Sequence, residues 1–451
     1  MTADDIKDKH YFSLPASSAT NERIKVIGVG GGGNNAINHM YRLGADSVSF
    51  IVANTDRQAL SNSPVPTKVL LGPQTTRGRG AGNDPKKAHA AAEESAADID
   101  ALFDEDTDMV FVTAGMGGGT GTGASPVIAR IAKERGILTI GIVTIPFLFE
   151  GQKKIIKALD GAAEMRKYVD ALMIINNERL SEIYKDYDFL NAFGKADDIL
   201  AMAAMSISEM VTCDGYINLD FNDVDTTLRE GGTAIISTGY GEGENRVQKA
   251  IEDALHSPLL RNTDILGSRK LLFNLYFSQD GDQPFKIDET EQITEFISQI
   301  DPNVDVIWGV SIDNTLGNKV KFTILAAGFD VTISEGGGPL PPTHIHGSTS
   351  EQKNTFEKNE AEIEKQGRLA GEYGERLDKF NRVKTEQRYV ILQPNQLDND
   401  IVMEALEQHP TFNRDKRVNL TIKEASSTPA STVPQMPAEP QKNNTISFDD
   451  F

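Results

Sequence analysis

The sequence predicts an α/β protein: a doubly wound parallel sheet, then one long helix, then a smaller α+β domain, followed by a tail that builds no core. Three observations carry this reading. Between Ile24 and Asn176, short Val/Ile-rich runs alternate with helical patterns, the βαβα rhythm of a parallel sheet covered on both faces. Two glycine clusters, at 28–33 and 115–123, each fall where a strand pattern gives way to a helix pattern. Beyond Phe329, apolar residues thin out among charges and Gly-Pro breakers.

Taken in order, strands are expected at 24–29, 48–53, 68–71, 109–113, 138–145 and 171–175, with helices at 35–43, 85–102, 124–135 and 152–168. Residues 192–212 read as one long helix, apolar at Ile199, Leu200, Met202, Ala203, Met205, Ile207 and Met210. Strands at 233–238, 270–278, 304–312 and 319–327, with helices at 246–256 and 289–300, form a mixed second domain that takes Trp308 into its core. Gly336, Gly337, Gly338, Pro339, Pro341 and Pro342 then break the chain. Residues 351–388 are highly charged, with apolar residues too sparse for a core-facing stripe, and 426–451 are rich in Ser, Thr, Pro and Gln. The expected organisation is a disordered extension (1–22), an α/β domain (23–190), a central helix (191–213), a second domain (214–330), a flexible charged linker (331–398), a segment with apolar and aromatic residues (399–417) and a disordered tail (418–451).

Composition narrows the class. A chain of 451 residues has length for two domains, and 39% hydrophobic residues supports real cores with some sequence left unpacked. The formal net charge of -21, from 66 acidic against 45 basic residues, argues against nucleic acid as the main partner. A single cysteine, Cys213, excludes an intrachain disulfide and a cysteine-based metal site, and fits a reduced cytosolic setting. The first twenty residues lack the apolar core of a signal peptide, and no window approaches a membrane-spanning helix, so no direct membrane insertion is expected.

The glycine clusters carry the chemistry. A turn of glycines and threonines between a buried strand and a helix leaves backbone N–H groups bare, and the helix N-terminus adds partial positive charge. Such a turn is built for a phosphate chain, although glycine also serves in plain surface loops. Gly28, Gly30 and Gly33 match the dinucleotide G-x-G-x-x-G pattern, and Asp56 follows the second strand where a dehydrogenase binds ribose. A second glycine turn after a later strand tells against a dinucleotide enzyme, and no G-x-x-x-x-G-K-[ST] motif is present. Further polar residues fall at strand ends: Asn54, Thr55 and Asp56; Ala81, Gly82 and Asn83; Glu150 and Lys154; Asn177. Phe193 and Asp197 open the long helix, an aromatic face beside a carboxylate that suits a guanine base, though core packing and a solvated helix residue are the plainer readings. Asp220 and Asp223, three apart after that helix, can hold a water beside a phosphate or simply cap the following helix.

The glycine clusters, together with Asn54-Thr55-Asp56 and Pro146-Phe147-Leu148-Phe149-Glu150-Gly151, resemble the FtsZ family, bacterial relatives of tubulin, over residues 24–329. The resemblance implies a tubulin/FtsZ fold with a Rossmann-like GTP-binding domain, and head-to-tail polymerisation of a cytoplasmic GTPase into the cytokinetic ring at mid-cell. By motif position, Gly31, Gly32, Gly33, Asn34 and Asn35, and Gly117, Gly118, Gly119, Thr120 and Gly121, would meet phosphates. Asn54, Asp56, Ala81, Gly82 and Asn83 would line the same nucleotide, and Glu150, Lys154 and Asn177 would approach the ribose. Phe193 would stack on guanine and Asp197 would read its edge, while Lys154 stands where many relatives carry Arg and Asn176 replaces a frequent Pro. Asn218, Asp220 and Asp223 would act on GTP of the adjacent subunit, with Mg²⁺ accompanying the triphosphate and no protein metal site. Residues 400–414, with Ile401, Met403, Leu406, Pro410 and Phe412, resemble the tail peptide that docks on division adaptors or membrane anchors. A GTP-binding structural protein without meaningful hydrolysis is the alternative, against which both aspartates stand.

Overall fold

A computed structural model of the chain describes residues 23–44, 48–183, 189–213, 215–256, 268–280 and 283–329, with 367–369, 373, 374 and 377; for 181–183 and 189–193 it describes the backbone alone. The compact unit that holds the sheets ends at Tyr373. The extension 1–22, most of the linker, the 399–417 peptide and the tail lie outside the described residues.

The first half runs β1 (Ile24–Val29), α1 (Gly30–Arg42), β2 (Ser49–Asn54), α2 (Arg57–Asn62), β3 (Thr67–Leu70), α3 (Pro85–Glu94), α4 (Ala96–Asp100), β4 (Met109–Gly115), α5 (Thr120–Glu134), β5 (Leu138–Ile145), α6 (Gln152–Arg166), β6 (Ala171–Asn176) and α7 (Asn177–Ile183). Its strands are parallel in the order β3-β2-β1-β4-β5-β6. Chain direction across the sheet reverses between β1 and β4, whose last paired residues are Val29 and Ala114. The two glycine turns therefore leave neighbouring strands at the topological switch point, where open α/β sheets hold ligands. Runs rich in Ile and Val make this possible: β1 and β5 are buried along their whole length, as strands covered on both faces must be, with Lys25 of β1 donating to Leu102 O and Asp104 Oδ2.

Two helices differ from expectation. α1 begins at Gly30, so the first glycine cluster is itself the opening turn of the helix. The helix expected over 85–102 breaks at Ser95, whose backbone leaves helical geometry while its hydroxyl accepts from Gly72 N (3.0 Å) and donates to Leu70 O (3.4 Å). Here a local side-chain bond competes with the helix.

α8 (Phe189–Thr212) follows, 24 residues or about 36 Å of helix. Ala196, Ile199, Leu200, Ala203, Ala204, Ile207 and Met210 are all buried, as befits a helix enclosed between two halves of a molecule. Beyond it come β7 (Gly215–Ile217), α9 (Phe221–Leu228), β8 (Gly232–Gly241), α10 (Arg246–Leu255), β9 (Lys270–Phe277), α11 (Thr290–Ser298), β10 (Asp305–Ile312) and β11 (Val320–Phe329). These strands are mixed in direction, in the order β8-β11-β9-β10-β7, over a second core that includes Phe273, Phe296 and Phe322. The second sheet joins the first through only two β6–β8 residue pairs, Ala171 with Gly232 and Leu172 with Thr233. The boundary is therefore a narrow seam in one sheet.

Trp308 is not a core residue. It is 39% exposed and stacks on Phe273 at 6.3 Å, because β10 has only the three-residue β7 outside it to cover its outer face. Among the described residues no helix is long and apolar enough to cross a membrane.

Candidate functional site

The phosphate cradle is assembled from backbone. Val29, at the N-cap of α1, and Gly119, at the N-cap of α5, offer no side-chain cap, whereas the adjoining α2 and α3 are capped by Asp56 and Asp84. The two helices at the switch point thus keep their first N–H groups for an anion. Gly31, Gly32 and Asn35 are exposed there, and Gly118 and Thr120 are half-exposed.

Close packing explains the glycines. A Cβ on Gly33 would come within 2.4 Å of Thr113 O on β4, one on Gly119 within 3.0 Å of Asp84 N, and one on Gly30 within 2.7 Å of Gly121 N, so a side chain at Gly30 would force the two turns apart. Gly117 adopts φ +95°, and its Cα faces Lys154 O and the Pro146 ring. The second turn is held further by Gly117 N donating to Thr122 Oγ1 (2.8 Å), and by the Thr55–Thr120 hydroxyl pair (2.7 Å). Ala81 and Asn83 lie against Gly119, Gly82 is exposed beside them, and Lys157 Nζ donates to Asn83 O (3.0 Å).

Several expected site residues stand behind this surface. Asn34 is buried; with its amide oriented to satisfy its neighbours it donates to Gly28 O (2.8 Å) and Gly30 O (3.0 Å) and accepts from Asn54 Nδ2 (3.1 Å). Asn54 Oδ1 in turn accepts from Asp56 N (3.1 Å), and Asp56 Oδ1 accepts from Gln58 N (2.9 Å). These three brace the cradle. Glu150 Oε1 accepts from Phe147 N (3.0 Å) and Glu150 pairs with Lys154, which fixes the 146–151 turn. Asn177 opens α7 at the same sheet edge, and its buried Oδ1 has no hydrogen-bond partner among the described residues. An orphaned acceptor there suits a ribose hydroxyl.

A polar cleft between α1 and α8 continues the cradle, lined by Asn35, Asn38, His39, Arg42, Gly194, Asp197 and Asp198. Asp198 accepts from His39 Nε2 (2.8 Å) and Lys195 Nζ (2.9 Å). Burial pushes the Asp197 carboxyl up to about 7, opposed by His39 and reinforced by the neighbouring Asp198. The Phe193 side chain lies outside the described residues. Asn38, His39, Arg42 and Asp198 were not anticipated, yet 35, 38, 39 and 42 follow the i, i+3, i+4, i+7 spacing of one helix face.

Asn218, Asp220 and Asp223 form a separate centre. Asp220 caps α9 in a reciprocal box: Asp223 N donates to Asp220 Oδ1 (3.0 Å), and Asp220 N donates to Asp223 Oδ2 (2.8 Å). Asn218 Oδ1 accepts from Gly215 N (3.1 Å). Capping and catalysis are compatible, since each carboxylate spends one oxygen and keeps another. Directly after α9, Arg229 donates to Gly136 O (3.3 Å) and pairs with Asp170 (3.5 Å), residues that immediately precede β5 and β6. The helix that the acidic turn opens is thus anchored by the strand beginnings, and the glycine turns lie by the strand ends. An eight-residue strand such as β5 separates these edges by about 25 Å. Exposed apolar groups flank both: Tyr216 (82%) and Ile217 beside the acidic turn, Phe149 (57%) beside the cradle.

A model of the tubulin/FtsZ GTPase domain matches residues 23–185, and a model of the FtsZ C-terminal domain matches 232–330. The cell division protein FtsZ of Porphyromonas gingivalis is 50% identical over 393 residues, 87% of this chain and 85% of that protein. That of Coxiella burnetii is 43% identical over 334 residues, 73% and 85% of the two. A solved FtsZ dimer from M. jannaschii aligns with a TM-score of 0.63 at 35% identity, covering 77% of this chain and 100% of that one. CetZ1 from Haloferax volcanii, a GDP-bound monomer, shares the fold at 20% identity and a TM-score of 0.59, over 68% and 95% of the chains. Fold and family models together define a tubulin-type GTPase. Within that class the chain belongs to the FtsZ family, the polymerising GTPases of cell division.

Proposed function

We propose that GTP lies along the switch-point crevice, with phosphates on the two glycine turns and guanine in the α1–α8 cleft, and that hydrolysis awaits the 218–223 turn of the next subunit. The observation that carries this reading is that Arg229 ties α9, the helix the acidic turn opens, to the strand beginnings, while the glycine turns leave the strand ends, edges that an eight-residue strand such as β5 separates by about 25 Å. Neither half can do the chemistry alone. Stacked head to tail, the exposed Tyr216 and Ile217 of one subunit would meet the Phe149 side of its neighbour, which gives the contact an apolar component.

In this arrangement Gly31, Gly32 and the 117–121 turn bind the phosphates through N–H groups, each charge-assisted bond contributing roughly 1.5–3 kcal/mol. The remaining oxygens of Asp220 and Asp223 orient a water in line with the γ-phosphate and take up its proton as the new O–P bond forms and the bond from the γ-phosphorus to the β–γ bridging oxygen breaks, releasing GDP and phosphate. The N–H groups of the cradle meet the charge that develops on the phosphate oxygens. The phosphates seated on the 117–121 turn would carry the Mg²⁺ that accompanies a triphosphate. Mg²⁺ bound there supplies neutralisation of phosphate charge. The 400–414 segment is assigned to a division adaptor or membrane anchor at mid-cell on the cytoplasmic side, with Ile401, Met403 and Leu406 as apolar anchors.

Turnover per molecule should rise steeply with protein concentration, at the concentration where polymer first sediments. Constant specific turnover from dilute monomer upward, with no polymer, is the outcome that removes the shared site.

The guanine end adds a pH signature. A carboxylate at Asp197 accepts from the base N1–H and N2–H₂, so GTP affinity should fall as pH drops from 8 to 6 and the group protonates. Without nucleotide the sign reverses. The folded-state value lies above the ordinary carboxylate value, so stability from this group is fully present below about pH 4 and lost as pH rises through about 7. Asp197→Asn should flatten both trends and weaken GTP binding by about tenfold or more. Calorimetric titration and thermal melts across this pH range check each part, and an unchanged affinity would take Asp197 out of the base site.

A further inference from the structure

The charged linker expected to be solvated touches the body of the protein. Leu369 is fully buried, and Tyr373 is 5% exposed with its hydroxyl donating to Pro146 O at 2.6 Å. Arg368 Nη1 donates to Asp160 Oδ1 on α6 at 2.9 Å. These are three contacts of different kind: apolar burial, a buried hydrogen bond and an ion pair. Leu369 and Tyr373 are four residues apart, so in a helical segment they present one face. An apolar stripe this narrow is too sparse to build a core, but it is enough to dock a short segment on a surface that already exists.

Pro146 links that contact to the cradle. It ends the run from β5 into the 146–151 turn, and its ring lies so close to Gly117 that a Cβ there would stand 2.9 Å from Pro146 Cγ. Tyr373 therefore bonds a residue that packs directly against the second glycine turn.

We propose that Arg368, Leu369 and Tyr373 form a strap that docks the linker on α6 and the Pro146 turn, and that Tyr373 is a positioning residue for the Gly117 turn behind it. The docking stands on the contacts alone; the positioning role rests on the nucleotide reading above.

Hydrogen–deuterium exchange on the full chain decides the docking. In the wild type, amides of 367–373 should be protected, and Leu369→Asp should speed exchange there and across 147–154 by about tenfold, with the rest of the body unchanged. Unprotected amides at 367–373 in the wild type, or unaltered exchange at 147–154 in the variant, overturns the strap. Charge exchange gives an independent check: Arg368→Asp should loosen the segment and Arg368→Asp with Asp160→Arg should restore it, and failure of the pair to restore protection removes the ion pair from the proposal. Tyr373→Phe keeps the ring and loses only the bond to Pro146. It should raise KM for GTP about threefold with kcat unchanged at saturating GTP. An unmoved KM overturns the positioning role, and the exchange data decide the docking even if nucleotide binds elsewhere.

Discussion

Asparagine in place of Asp223 is expected to lower GTP turnover about a hundredfold or more, while GTP binding, polymer formation and melting temperature stay near wild type. The expectation rests on what the substitution spares. Asp223 Oδ2 accepts from Asp220 N to close the capping box, and an asparagine carbonyl can accept the same bond. Charge and proton-accepting power go, while geometry stays. Alanine would also remove the cap, costing about 1 kcal/mol, and would confuse a folding defect with a catalytic one. A second measurement separates a shared site from an internal one. Asp223→Asn subunits keep an intact cradle, and Asp197→Ala subunits keep an intact acidic turn, so each lacks what the other supplies. Mixed in equal amounts they should turn over GTP faster than the sum of the two alone. A mixture no better than that sum would place catalysis within one molecule and contradict the roughly 25 Å between the two sheet edges.

The wound sheet and the glycine turns were legible in the sequence because each rests on short-range chemistry. Runs rich in Ile, Val and Leu such as 138–145 mark strands buried on both faces, and glycine between strand and helix marks a turn stripped of side chains. What depends on distant partners was not legible. Trp308 reads as core by residue type, and only the strand order shows that β10 has so little outside it. Asn34 and Asn54 read as ligand contacts by position, but their amides are spent on each other and on Gly28 and Gly30. The Leu369–Tyr373 contact escaped for a related reason: two apolar residues among charges signify nothing until the surface they meet is known. The anchoring of the acidic segment is a fourth case. Asp220 and Asp223 announce a carboxylate pair in sequence, but only the Arg229 bonds to Gly136 and Asp170 tie the helix they open to the strand beginnings.

Methionine in place of Lys321 should destabilise the protein by about 3–5 kcal/mol, because it breaks a buried ion pair by removing one partner. Lys321 on β11 donates to Glu209 on α8 at 2.9 Å, and the two side chains are 7% and 6% exposed. Its ammonium lies 4.0 Å above the Tyr276 ring, with Asp313 also at 4.0 Å. Burial alone would pull the lysine pKa down, but the Glu209 carboxylate more than offsets it and holds the ammonium charged well above the usual lysine range. Because that value is raised, the contribution is whole at neutral pH and is lost only in strong alkali. Removing the lysine strands a carboxylate between the central helix and the second sheet, with no other cation paired to it among the described residues. Pairing the change with Glu209→Leu should recover most of the loss, since an apolar pair of similar volume needs no desolvation of charge. Denaturant unfolding of both variants at pH 5.5 and 8 tests this directly. A single variant as stable as wild type at both values would mean that the pair does not tie α8 to the second sheet.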